Sequence, residues 1–118
     1  EQTRMDGPQV GDILVSSWGY DQTNIDFWRV VGLTASGKSV RIVPAGQRVV
    51  GRFTGGEWVV PAPLQRVRGD EDPTTSLIRW YEFLGERQWC VGVPVGHKNT
   101  ARLWGGETVY QTAAGWGH

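Results

Sequence analysis

The sequence predicts an all-β domain, a small antiparallel barrel of SH3-like or similar type with tight glycine turns and at most one short helix. Three observations point there. Glycine contributes 17 of 118 residues and recurs between short apolar runs, where it supplies the positive φ that tight turns require. Valine, threonine and tryptophan crowd the runs themselves, and such side chains pack well on a pleated surface. The runs alternate with period two, and no long Ala-Leu-Glu-Lys window sustains a helical period. Closing the sheet into a barrel would also remove the bare strand edges that invite aggregation.

Residues 12–18 read as the first strand, with Ile13, Val15 and Ser17 on one face and Leu14, Ser16 and Trp18 on the other. Residues 25–33 form the second, where Ile25, Phe27, Arg29 and Val31 alternate with Asp26, Trp28 and Val30. A turn at residues 34–38, with Gly37 at its left-handed position, leads into a third strand at 39–43. That strand is expected to stop at Pro44, which has no N–H to donate. The three make an antiparallel meander.

Residues 47–53 and 57–60 flank Gly55-Gly56 as a hairpin closed by Pro61 and Pro63, and 64–68 read as a further short strand. A polar loop at 69–75 follows. Residues 77–84 and 87–93 flank Gly85-Glu86 as a second hairpin, with Trp80 and Trp89 to pack. The alternative there is a short helix through Tyr81, capped by a hydroxyl of Thr74, Thr75 or Ser76. Residues 101–104 and 107–112 around Gly105-Gly106 repeat the hairpin pattern. Residues 1–10 are expected to be an N-terminal tail and 11–118 a single domain.

Composition narrows the function classes. Formal net charge is zero with a pI near 7.0, well below what a dedicated duplex-binding domain shows. Residues 29–68 nonetheless hold seven cations against Glu57 alone. The single Cys90 excludes an intrachain disulfide and fits a reducing compartment. No apolar run approaches the roughly 20 residues that span a bilayer, and Glu1-Gln2-Thr3-Arg4 is no signal-peptide opening. A cytoplasmic protein without a membrane association is expected.

The best candidate site is the loop between the first two strands. Residues 20–24 combine a phenol, a carboxylate, two amides and a hydroxyl, where a plain connector needs only two residues. Trp18 and Trp28 would wall the site and Tyr20 would anchor a visitor. Asp21, Gln22, Thr23 and Asn24 would set hydrogen-bond specificity. A protein partner fits this mixture best. The first alternative is nucleic acid, with Arg29, Arg41, Arg48 and Arg52 on phosphates and aromatic rings stacking on bases. The second is an enzyme acting on nucleic acid or nucleotide through Asp21 and Asp26, although turn capping and plain exposure explain those carboxylates.

Other motifs carry less. Residues 32–39 satisfy the phosphate-loop pattern G-x-x-x-x-G-K-[ST], but that pattern works only where a helix begins at the lysine. Here a period-two run follows, so a hairpin turn is expected. His97, His118 and Cys90 lie on separate segments without ligand spacing. No catalytic set, metal or cofactor is expected.

The run from Ser17 to Val31 (Ser-Trp-Gly-Tyr-Asp-Gln-Thr-Asn-Ile-Asp-Phe-Trp-Arg-Val-Val) resembles a family of small proteins encoded by phages, plasmids and other mobile elements. Its pattern is S-W-G-Y-D-Q-T-N-x-x-F-[YW]-x-V-V after a Gly-Asp strand start, here Gly11-Asp12. A later S-G-K-[ST]-V turn matches residues 36–40, and a Leu-Trp-x-Gly-[KE] turn followed by Tyr and Thr matches 103–107 and 110–112. The resemblance covers residues 11–43 and 101–118. The family carries no assigned activity, so the resemblance implies an accessory protein acting in a bacterial cytoplasm. Gly105 stands where the family has Asp, which argues against an essential carboxylate in that turn.

Overall fold

The computed structural model describes residues 7–19, 23–62, 73–93 and 99–112, with eight strands and no helix among them. The strands are β1 (Ile13–Trp18), β2 (Asn24–Leu33), β3 (Ser39–Phe53), β4 (Gly56–Ala62), β5 (Thr74–Phe83), β6 (Glu86–Val93), β7 (Asn99–Leu103) and β8 (Val109–Thr112). Every pairing is antiparallel, as expected. The order β2-β1-β7-β6-β5-β3 returns on itself through β2–β3, giving a ring of hydrogen-bonded strands. The ring is narrow at β1–β7, where only Leu14↔Leu103 and Val15↔Arg102 pair. The second half of β3 carries β4 and then β8 as an extension.

The alternation of β1 and β2 is used on both faces. Leu14, Trp28 and Val30 join Val40, Ile42, Trp89, Val91, Val93 and Ala101 in one apolar core. Val15, Ile25 and Phe27 join Ala45 and Val59 in a second, with Ile13, Val49, Trp104 and Val109 packed against it. Strands buried on one face alone would show polar residues at every second position. Here the second position is filled by another core instead.

One buried polar pair crosses this arrangement. The Trp28 indole N–H donates to Ser16 Oγ at 3.2 Å, and that hydroxyl reaches the Asp26 carbonyl at 3.4 Å. Ser16 lies opposite Asp26 and diagonal to Trp28, so the bond forms only in the observed register. An indole N–H placed in an apolar core needs such a partner.

One sequence expectation fails at β3, and at β5 the helix alternative gives way to the expected hairpin. Strand β3 does not stop at Pro44; it runs 15 residues, and Pro44 pairs with Trp28. Pro44 falls between the last β5 pair, Ile42↔Thr74, and the first β4 pair, Gly46↔Ala62. Its missing donor therefore interrupts neither ladder, which is the circumstance that admits proline inside a strand. Residues 74–81 are strand rather than helix: β5 and β6 form the expected hairpin, with Trp80 opposite Trp89. Its turn falls one residue earlier than expected, at Leu84 (φ 54°) and Gly85 (φ 82°), where two left-handed residues suit a two-residue hairpin.

The third expected hairpin is absent. Strand β7 pairs with β1 and β6 while β8 pairs with β4, so residues 104–108 cross between sheet regions. The crossing is pinned by Trp104, whose backbone N–H donates to Ile13 O and whose indole donates to Glu107 O at 2.7 Å. Glu107 in turn accepts from the Gly105 N–H and pairs with Arg102 at 3.2 Å. The expected strand at 64–68 lies outside the described residues. Of the expected tail, residues 7 and 8 are buried, Gly7 lying against the Trp80 ring.

Replacing Ser16 with Ala leaves the buried indole N–H unpaired and is expected to cost about 1–3 kcal/mol. Combining it with Trp28→Phe, which removes the donor, should cost less than the two single losses together. Urea denaturation of the four proteins checks this; strictly additive losses would deny that the two side chains interact.

Candidate functional site

Tyr20, Asp21 and Gln22, the centre of the expected site, lie outside the described residues, as does the Trp18 side chain. The root of the loop is defined. Trp18 pairs with Asn24 across β1 and β2. The Thr23 N–H donates to Thr112 Oγ1, and the Thr112 N–H donates to the Thr23 carbonyl, both at 2.9 Å. The loop is thereby fastened to the end of β8, a strand 89 residues away in sequence. Trp28 does not wall a recess: it is 4% exposed, inside the first core. A ring so placed and hydrogen-bonded serves the interior.

A surface that the sequence reading missed lies beside that root. Phe53, Trp58 and Tyr110, at 46%, 41% and 37% exposure, gather on the outer face of β3, β4 and β8. Val59 points into the second core, so alternation turns Trp58 outward, and Tyr110 lies directly opposite Trp58. The Phe53 and Tyr110 rings stack at 5.6 Å and 28°, with Trp58 at 5.8 and 6.0 Å from them. Gly56 is the base of the platform. A Cβ there would come within 2.4 Å of Tyr110 and 2.6 Å of Phe53, so only glycine lets both rings close over the backbone.

Platform and loop root share one row of the sheet. Phe53 pairs with Gly56, Gly56 with Thr112, and Thr112 hydrogen-bonds Thr23. At standard strand spacing this puts Thr23 about 10 Å from Gly56. Beneath the platform, Gln111 Nε2 donates to Gln47 Oε1 and Glu57 Oε1, both at 2.8 Å. Gln47 Nε2 donates to the Ile25 carbonyl at 3.0 Å. This network ties β8, β4 and β3 to β2 and holds the platform rigidly to the loop-bearing strand.

The arginines do not gather. Arg29 is half-buried, with Nε sealed from solvent and without a hydrogen-bond partner. Arg41 and Arg48 are exposed on β3, seven positions apart, which sends them to opposite faces. Arg52 lies 3.5 Å from Glu57. Asp26 is half-buried opposite Ser16, and Asp21 is not described. Among the described residues no three His, Cys, Asp or Glu side chains group as metal ligands. The phosphate-loop match is a hairpin turn: Gly37 N–H donates to Thr34 O, Thr34 Oγ1 to Ser39 O, and β3 begins at Ser39.

A second apolar projection is the β5–β6 ribbon, exposed from Arg79 to Arg87. Arg87 covers the Trp80 ring at 4.0 Å, and Tyr81 Oη donates to Gln88. Phe83 and Leu84 stand bare at its tip. Cys90, also on this ribbon, is half-buried, and burial pushes its thiol up, against the smaller opposing effects of Thr100 and Arg79.

No family model, no curated protein and no solved structure matches this chain.

Thr112→Val removes the hydroxyl that holds the Thr23 N–H. Amide exchange at Thr23 should accelerate about fivefold or more while the core amides are unchanged, as a net bond of about 1 kcal/mol implies. Cys90 gives a pH prediction. Its thiol keeps its proton to a higher pH folded than unfolded, so its stabilising effect is complete below the unfolded thiol range and lost as pH rises through it. Between about pH 8 and 10, wild-type stability should fall more steeply than that of Cys90→Ala; parallel slopes would remove the assignment.

Proposed function

We propose that this chain is a non-enzymatic, single-domain binding module whose partner is a protein. It contacts that partner with the loop at residues 20–24 together with the Phe53–Trp58–Tyr110 platform. The observation that carries the reading is the platform itself: three large rings exposed side by side on a sheet face that shares a row with the loop root. Aromatic anchors with a polar rim are what protein-binding surfaces are made of. Tyr20 extends the anchors, and Asp21, Gln22 and Asn24 supply the rim. The resemblance of residues 17–31 to mobile-element proteins supports the role of a phage or plasmid accessory factor in a bacterial cytoplasm.

Nucleic-acid binding is the weaker reading, because Arg41 and Arg48 face opposite ways and Arg52 is beside Glu57. The enzymatic reading has only Asp21 and Asp26 to rest on.

Capture from bacterial lysate, with and without nuclease, separates these readings. A protein retained after nuclease treatment should be lost at least tenfold with Trp58→Ser/Tyr110→Ser and with Tyr20→Ala/Gln22→Ala, as hot-spot truncations of about 2 kcal/mol imply. Both variants must keep the wild-type unfolding free energy to within about 1 kcal/mol. Undiminished capture by both overturns the proposed surface. Capture that needs nucleic acid and fades with salt transfers the function to the arginines.

A further inference from the structure

Strand β5 changes neighbours part-way along its length. Its first residues pair with β3, from Ile42↔Thr74 to Ser39↔Leu77. Its later residues pair with β6, from Ile78↔Val91 to Phe83↔Glu86. The β5–β6 ladder ends at Ile78↔Val91, yet β5 reaches back to Thr74 and β6 continues to Val93 against β7. The strands part there, and an open cleft of about 730 Å³ lies between them, lined from β5, β6 and β7. It is distinct from the aromatic platform, which is built on β3, β4 and β8.

Arg79 is the one charged side chain among the described lining residues. Arg79 contributes an exposed guanidinium with no ion-pair partner among the described residues. Asn99 accepts the Thr100 N–H at 2.9 Å with Oδ1, while its Nδ2 is buried without a partner. Hydroxyls of Thr75 and Thr100 also line the cleft, and no described acidic side chain does. Leu77 is the exposed apolar side chain of the lining, and a Cβ built on Gly92 would meet nothing within 4 Å. A site with a guanidinium, hydroxyls and a nonpolar side chain, and with no described acidic group, calls for a ligand that brings the negative charge.

We propose that this cleft binds a small organic oxyanion. Its carboxylate or phosphate head meets Arg79 and the hydroxyls, and its nonpolar part lies over Gly92 against Leu77. Arginine suits either head group, because its planar fork meets two oxygens at once.

The test is a titration of the intact chain, followed by backbone amide shifts, with butyrate and separately with methyl phosphate. Sodium chloride at matched ionic strength is the reference. Saturable shifts confined to residues 74–79, 92–93 and 99–100 are expected, with dissociation constants of about a millimolar for ligands this small. A response to one compound alone names the head group. Arg79→Gln should weaken binding at least tenfold without changing the space. Gly92→Phe should do the same without changing the charge, since its Cβ has room and its φ is not left-handed. Absence of saturation by about 100 mM, a hundred times that millimolar range, overturns the proposal. So does binding of equal strength in Arg79→Gln, which holds even if Gly92→Phe fails to fold.

Discussion

Strand β2 sits between two interiors, and the rest of the molecule is arranged around that fact. Its Ile25 and Phe27 belong to one core, its Trp28 and Val30 to the other. A slip of one residue would exchange the two sets and put Asp26 and Arg29 into apolar surroundings. The Ser16–Trp28 hydrogen bond reinforces the register from within, because the hydroxyl meets the indole only in the observed pairing. Past Val30 the requirement relaxes: a bulge between Val30 and Gly32 shifts the register against β3, and Leu33 is exposed.

Burial on both faces of β2 has a consequence for function. A tryptophan on this strand has no exposed face to give, so Trp28 is interior however suggestive its position beside the loop. Recognition groups must stand where strands leave the cores. Trp58 and Tyr110 do so, on the outward side of strands whose inward residues, Val59 and Val109, complete the second core. The Gln47–Glu57–Gln111 network then links the strands of the outward surface to β2.

Local patterning was enough to read the parts of the fold that depend on neighbours in sequence. The meander of β1, β2 and β3 follows from alternation and the turn at Gly37, and the β3–β4 and β5–β6 hairpins follow from their glycines. What failed was non-local. Gly105-Gly106 looks like Gly55-Gly56, yet one joins strands that pair and the other joins strands that do not. The docking of Trp104 onto Ile13 and the pairing of β8 with β4 separate the cases. Pro44 does not end β3, because its tolerance depends on where β5 ends and β4 begins. The aromatic platform was half legible: the Phe53-Thr54-Gly55-Gly56 turn fixes Phe53 opposite Gly56, and alternation turns Trp58 outward. Tyr110 arrives through the β4–β8 pairing, which no local signal announces.

The two surfaces of interest share a cause. A strand that keeps one neighbour along its whole length leaves no opening in a ladder. A strand that changes neighbour must part from one of them. Strand β3 passes from β2 and β5 to β4 near Gly46, and the sheet carrying the platform starts there. Strand β5 passes from β3 to β6 at Ile78, and the cleft opens there. Both handovers fall on long strands, β3 with 15 residues and β5 with ten, in a sheet that wraps two small cores instead of one large one. The exposed rings and the open cleft are therefore products of the same topology that buries β2.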